Sequence, residues 1–441
     1  MNPTAPLSHR QIFRAWWPLS ISWALMAVEL PVIGAVIARL ADPEIHLAAL
    51  GGVVFPVALV VESPIIMLLV ASTALSRDWD SYLRLRRFMM WAGAALTVVH
   101  LLIALTPLYF VVVETLIRVP TAVVGPARIG LIIMLPWSWA IAYRRFNQGV
   151  LIRFGYSRSV GKGTALRLAA DGLVLAVGSL VGSFSAIVVA TSAISAGVLI
   201  EALYVRYQVR PVLTEHLKKE AGLRSPVTLS SFARFYIPLA LTPFLTLLGQ
   251  PVGAAALSRM AQPLESLAVW PMVFGLLFLV RSVGFAYQEV VVAMLDEPKA
   301  RRRLKQFTVF LTSGATLFLL LVSATPLAGW WFETVSGLRP SLSQIASYGL
   351  IFGLLIPGLG VLHNWYQGLL VHARRTRPIT ESVAIFLLTC SAILWLGVQH
   401  GQLTGLHIGL MAFTVGAVFQ AIWLRVQTRQ ERVGSRLHVC I

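Results

Sequence analysis

Residues 14–47, RAWWPLSISWALMAVELPVIGAVIARLADPEIHL, return 220 positions later as residues 234–267, RFYIPLALTPFLTLLGQPVGAAALSRMAQPLESL. Arg14, Pro18, Leu19, Pro31, Arg39, Pro43 and Leu47 meet Arg234, Pro238, Leu239, Pro251, Arg259, Pro263 and Leu267. After one deletion the offset becomes 219 and holds to the end of the half. Phe55 then meets Phe274, Ser63 meets Ser282, Arg84 meets Arg303, Phe88 meets Phe307, and Gln148-Gly149 meets Gln367-Gly368. Arg158, Gly197, Arg206, Gln208 and Arg210 likewise meet Arg377, Gly416, Arg425, Gln427 and Arg429. Apolar segments align loosely with one another, but one offset sustained across six of them marks a duplication.

The duplicated unit is built for a membrane. Of 441 residues 57% are hydrophobic and 12% charged, with a mean hydropathy of +0.77, which excludes a soluble globular chain. Apolar runs long enough to cross a bilayer predict twelve spans, at 16–39, 47–75, 88–113, 122–143, 168–184, 186–205, 235–258, 267–294, 307–330, 345–371, 381–398 and 406–424. The expected class is an all-α polytopic membrane protein of two six-helix lobes. Six is even, so the lobes share one orientation and are related by an axis along the membrane normal. The lobes are placed at 1–210 and 234–426, with a cytoplasmic linker at 211–233 and a basic cytoplasmic tail at 427–441.

A net charge of +18 raises the question of nucleic acid, and the placement of the charge answers it. With the N-terminus cytoplasmic, 30 of the 36 Lys and Arg residues fall in cytoplasmic segments, including the six from Arg144 to Arg167. This is the positive-inside signature of a plasma (inner) membrane protein with both termini in the cytoplasm. The bilayer is the expected partner, nucleic acid is not, and a monomer is expected. The first apolar run is as long as the others and is followed by no cleavage site, so it is taken as a retained span. Cys390 and Cys440 offer no disulfide framework, and no metal site or cofactor is expected. Gly155 to Thr164, GYSRSVGKGT, misses the phosphate-loop spacing, since five residues separate its glycines and Gly163 follows Lys162. Two parallel six-helix halves predict a cavity at their interface, which makes transport the leading reading, and without a nucleotide motif it would run on an ion gradient or the substrate's own. No hydrolase motif supports an enzyme.

Ionisable residues inside spans each cost about 2.5 to 3.5 kcal/mol on insertion scales and need a reason. Glu29, Glu62, Asp171 and Glu201 are candidates for binding a coupling proton or Na+, because a carboxylate in apolar surroundings takes up a proton more readily. Their repeat partners are Gly249, Arg281, Cys390 and Gln420, so the carboxylates all belong to the first half. Arg281, Gln250, Asn364, Tyr366 and Gln367 are candidates for lining a substrate cavity. Plainer roles compete with these. Glu62 and Arg281 can neutralise each other as a gate or clasp, Asp171 lies four residues from Arg167 at a helix start, and Glu201 can snorkel towards the cytoplasm. The recurring Arg39 and Arg259 fit a shared structural role, and His100 that of a satisfied core histidine.

These residues resemble the multidrug/oligosaccharidyl-lipid/polysaccharide exporter superfamily, which includes multidrug and toxic compound extrusion transporters and lipid-linked saccharide flippases. Trp16-Trp17-Pro18-Leu19 with Pro31, echoed by Tyr236-Ile237-Pro238-Leu239 with Pro251, is most similar to the progressive-ankylosis-type branch. The resemblance implies a V-shaped pair of lobes working by alternating access. It also implies an acidic residue of span 1 that binds the coupling cation; Glu29 stands in that place, where the family commonly has Asp. The ankylosis-type branch implies export of anionic metabolites, with Arg281 as a partner for negative charge.

The expectation is a secondary-active exporter of a small organic molecule or anionic metabolite. A flippase for a lipid-linked saccharide or lipid is the alternative, and a non-transporting membrane scaffold a third class. The rival fold is the major facilitator. Its motif after span 2 begins with Gly and continues to Asp-Arg and a basic cluster. Ser76-Arg77-Asp78-Trp79-Asp80 followed by Arg84, Arg86 and Arg87 keeps only the basic cluster.

Overall fold

The structure, a computed structural model, describes residues 7–218, 229–295, 297, 300–373 and 375–437. Ten of its helices are long and apolar enough to cross a membrane, and two bent pairs bring the spans to twelve. Span 1 is His9–Ile37, span 2 Pro43–Leu75, span 3 Trp79–Leu105, and span 4 the pair Thr121–Ile133 and Leu135–Arg153. Span 5 is Ser157–Val181, span 6 Ala186–Val212, span 7 Leu229–Leu257 and span 8 Pro263–Met294. Span 9 is Ala300–Ala324, span 10 the pair Pro340–Phe352 and Ile356–His372, span 11 Arg377–His400 and span 12 Gly405–Leu437.

Local chemistry sets several of these boundaries. Proline opens spans 2, 8 and 10, where its missing N–H is no loss. Asp78 caps span 3, its carboxylate accepting from Ser81 N at 2.7 Å. Span 2 carries a π-helical segment at Ala49–Val54 and breaks at Met67.

The duplication survives in three dimensions down to single residues. Leu108–Phe110 and the π-helical Val111–Ile117 join spans 3 and 4; Leu327–Gly329 and Trp330–Val335 join spans 9 and 10. The two bent spans turn by 42° and 41°. Left-handed backbone occurs at Asp42 and Gln262, at Arg118 and Gly337, and at Gly182 and Gly401, each pair at the repeat offset.

Contacts divide the chain into two units. The N unit is Val36–Ser258 and the C unit joins Met1–Ala35 to Arg259–Ile441. Expected lobe boundaries at 210 and 234 therefore differ from the observed grouping. Span 1 folds with the C-terminal spans and span 7 with the N-terminal ones. In the C unit, Ile12 at the start of span 1 is fully buried in an apolar cluster with Tyr287, Leu304, Phe307, Val361 and Trp365, and Trp16 packs against it. Inside a bilayer such clusters are held by close packing rather than by water exclusion, which favours small residues at crossings. Gly149 of span 4 lies directly on Ser72 of span 2, and its repeat partner Gly368 lies on Val291 of span 8.

Two expected segments are more helical than the sequence implied. The linker's first residues continue span 6 to Val212 and then form a π-helical turn, Leu213–Leu217. The tail continues span 12 to Leu437. Positions 219–228 of the expected linker, and Cys440 in the expected tail, lie outside the described residues.

Candidate functional site

Glu201 on span 6 is fully buried and is the centre of a charged network in the N unit. It accepts a hydrogen bond and ion pair from Arg144, a hydrogen bond from Gln148 Nε2 at 2.9 Å and one from Thr164 Oγ1 at 3.5 Å, with Arg167 Nε at 3.8 Å. Helical spacing assembles these donors. Arg144 and Gln148 are four apart on one face of span 4, while Thr164, Arg167 and Asp171 share a face of span 5. Gly197, one turn before Glu201, makes room for them, since a Cβ there would lie 1.7 Å from Asp171 Oδ1 and 2.9 Å from Arg167 Cγ. A buried charge set of this kind is tolerable only when its members are partnered, and removing one leaves the others uncompensated.

Glu62 on span 2 borders the network. It is 5% exposed and its Oε2 has no hydrogen-bond partner. The positive charges acting on it are Arg145, then Arg144 and Arg167. The Nε of Arg145 is likewise buried without a partner.

In the C unit the repeat positions of this network carry almost no charge. Arg144, Arg167, Asp171 and Glu201 are replaced by His363, Phe386, Cys390 and Gln420. His363 Nε2 donates to the Ala417 carbonyl at 2.8 Å, Gln420 Nε2 donates to Ser382 Oγ at 3.3 Å, and Cys390 Sγ donates to the Ala412 carbonyl at 3.2 Å. Phe386 and Cys390 fill the space against Gly416 that Arg167 and Asp171 fill against Gly197.

The charge left in this region of the C unit is Arg281, at the position of Glu62. Its guanidinium lies 5.2 Å from the Phe285 ring centroid, and Gly360 gives its stem room, a Cβ there falling 2.8 Å from Arg281 Cγ. Arg281 Nε is buried without a partner, and so is Nδ2 of Asn364, the counterpart of Arg145. Two unsatisfied donors therefore stand on spans 8 and 10 of one unit. Among the described residues no carboxylate of that unit pairs with Arg281. Such a set can donate to a carboxylate or phosphate oxygen.

The expected site residues are distributed unevenly. Glu62, Asp171 and Glu201 gather in the N unit, whereas Glu29, half-buried on span 1, belongs to the unit of Arg281. Glu201 does not snorkel to the surface, because two arginines hold it inside. Arg144, Arg145 and Arg167, assigned by sequence to a cytoplasmic segment, stand within helices: span 4 runs on to Arg153 and span 5 starts at Ser157. The signal that marked them was the spacing of Arg144, Gln148 and Gly149 and its echo at His363, Gln367 and Gly368. Gln250 is half-buried on span 7 in the N unit, and Gln367 half-buried on span 10. Tyr366 packs against the apolar cluster. His100 is buried with Nδ1 3.3 Å from Ser138 Oγ, while its Nε2 is buried without a hydrogen-bond partner, so only one ring nitrogen is satisfied.

No protein-family model and no curated protein sequence matches the chain. Solved structures do. The chain is similar to an inward-facing multidrug resistance MATE family transporter of the MOP superfamily, with a TM-score of 0.71 and 14% identity over 94% of this chain and 98% of that one. It is also similar to the lipid II flippase MurJ in an inward closed conformation, at TM-score 0.70 and 12% identity over 95% and 87% of the two chains. A third is a MOP superfamily transporter from Pyrococcus furiosus, described as having a binding pocket of reverse polarity, at TM-score 0.62 and 16% identity over 96% and 99%. The chain is thus an integral membrane protein with the multidrug/oligosaccharidyl-lipid/polysaccharide exporter fold.

Proposed function

We propose that this protein is a secondary-active exporter of an organic anion, working by alternating access in the plasma (inner) membrane as a monomer with both termini cytoplasmic. The observation that carries the reading is the pair of unsatisfied donors, Arg281 Nε and Asn364 Nδ2, facing no carboxylate of their own unit. An anionic substrate supplies the missing acceptor. The likeness to transporters and a flippase, one of them with a pocket of reverse polarity, supports the same reading. Glu62, whose Oε2 also lacks a partner, and Glu29 are the carboxylates assigned to coupling by protons or Na+. Asp171 and Glu201 are better suited to holding the N unit together, because Glu201 is engaged by arginines and Asp171 is packed against Gly197 and beside Arg167.

The test is flux in proteoliposomes under an imposed pH or Na+ gradient, using labelled organic anions, cations and neutral compounds of similar size. Gradient-dependent movement of anions, lost in Arg281→Gln and uncoupled in Glu62→Gln, is the expected result. Transport of cations alone would overturn it.

One observation favours a second reading, a lipid flippase. The C unit carries an apolar cavity of about 570 Å³ lined by Leu276, Val280 and Val283 of span 8, Phe318 of span 9, and Trp330 and Trp331. Its size and lining suit an acyl chain. Translocation of a fluorescent lipid between leaflets, measured in the same vesicles, separates the two readings.

A further inference from the structure

Span 4 presents a second aromatic and basic surface in the N unit, apart from the buried network. Trp139 and Tyr143, one helical turn apart, are stacked with ring centroids 5.4 Å apart and planes 20° from parallel, and both are half-buried. Gly93 of span 3 lets the two helices approach, since a Cβ there would lie 3.1 Å from Trp139 Cδ1. The charges acting on the Tyr143 hydroxyl are Arg206, Arg86 and Arg210, from spans 6, 3 and 6. All three arginines are exposed, and among the described residues none of their guanidinium groups has an ion-pair or hydrogen-bond partner. Span 6 continues this surface with Leu203, 61% exposed, and Tyr207, 70% exposed, while Trp91 of span 3 is 78% exposed. Side chains of this kind on a membrane-spanning helix meet hydrocarbon.

The repeat separates a site from mere topological charge. Arg86, Arg206 and Arg210 have basic counterparts in Lys305, Arg425 and Arg429, but Trp139 and Tyr143 correspond to Gly358 and Leu362. At Gly358 span 10 closes onto span 9, a Cβ falling 2.3 Å from Thr316 Oγ1. The C unit therefore has the basic rim without the aromatic floor.

We propose that spans 3, 4 and 6 of the N unit form a binding site for the phosphate headgroup of an anionic phospholipid of the cytoplasmic leaflet. Arg86, Arg206 and Arg210 take the phosphate, and Trp139 and Tyr143 support the glycerol and upper acyl region. Aromatic rings suit that interfacial depth, and basic recesses between spans on the cytoplasmic side suit anionic headgroups.

The experiment is thermal unfolding of the full chain in detergent, titrated with phosphatidylglycerol, phosphatidylcholine or inorganic phosphate. Phosphatidylglycerol is expected to stabilise the protein, with apparent affinity falling about fivefold for each arginine changed to Gln and about a hundredfold for Arg86→Gln, Arg206→Gln and Arg210→Gln together. The matching C-unit triple, Lys305→Gln, Arg425→Gln and Arg429→Gln, is expected to leave the titration within about twofold. Equal losses in the two triples would reduce the effect to general surface charge and overturn the proposal. So would a titration unchanged in the first triple, or stabilisation by inorganic phosphate equal to that by the lipid.

Discussion

Trp16 donates its indole N–H to the carbonyl of Val283 at 2.8 Å, tying span 1 to span 8. At the equivalent repeat positions the Tyr236 hydroxyl donates to the carbonyl of Pro64 at 2.6 Å, tying span 7 to span 2. Different side chains thus make the same bond in both units. Trp16→Phe and Tyr236→Phe are each expected to cost about 0.5–1.5 kcal/mol by removing one hydrogen bond while keeping an aromatic ring. Being in separate units with no shared partner, the two should add within about 0.5 kcal/mol in the double variant, measured by thermal unfolding in detergent.

The buried network predicts an unusual rescue. Glu201→Gln removes the carboxylate that Arg144 pairs with and that Arg167 lies 3.8 Å from, and should destabilise by about 3–5 kcal/mol. The C unit holds the same positions with neutral groups that pack and bond among themselves. Carrying those residues across, as Arg144→His, Arg167→Phe, Asp171→Cys and Glu201→Gln together, should recover much of the loss. A quadruple variant less stable than the single one would show that the charges are irreplaceable there.

Two glycines in spans predict opposite signs. Gly197→Ala forces a methyl group against Asp171 Oδ1 and should prevent accumulation of folded protein, with Asp171→Ala in the same chain restoring part of it. Gly314→Ala has nothing within 4 Å of the new Cβ and should stabilise by up to about 1 kcal/mol through helix propensity. Yield of monodisperse protein and unfolding temperature report both.

Gly182 and Gly401 end spans 5 and 11 with φ of 68° and 65°. Alanine at either position meets the left-handed penalty of about 1–2 kcal/mol. Near-equal shifts in unfolding temperature are expected, with Asn milder than Ala at both.

The architecture was legible because the repeat offset and the apolar runs are carried by backbone-setting residues, prolines and glycines above all. Pro43 and Pro263 open their spans, and Gly149 and Gly368 sit at helix crossings. The charged network was legible only in its carboxylates. Arg144, Arg145 and Arg167 read as loop charges because an arginine-rich stretch between two apolar runs has the composition of a cytoplasmic connection, whereas only Phe154 to Tyr156 separates the two helices. Its members come from three spans, so no local spacing could join Arg144 to Glu201. The grouping of span 1 with the later spans was also hidden, since a repeat offset records which segments correspond and says nothing of which ones pack.

That grouping means neither half of the chain contains a whole unit. Residues 36–210 lack span 7, which emerges from the ribosome after them, and the C unit waits for its later spans while span 1 is already inserted. A single ancestral repeat would have faced the same shortage, and could have met it only by lending its first helix to a second copy and borrowing that copy's in return. Expressed as two separate fragments cut between spans 6 and 7, the present chain should regain that ancestral dependence, each fragment stable only in the company of the other.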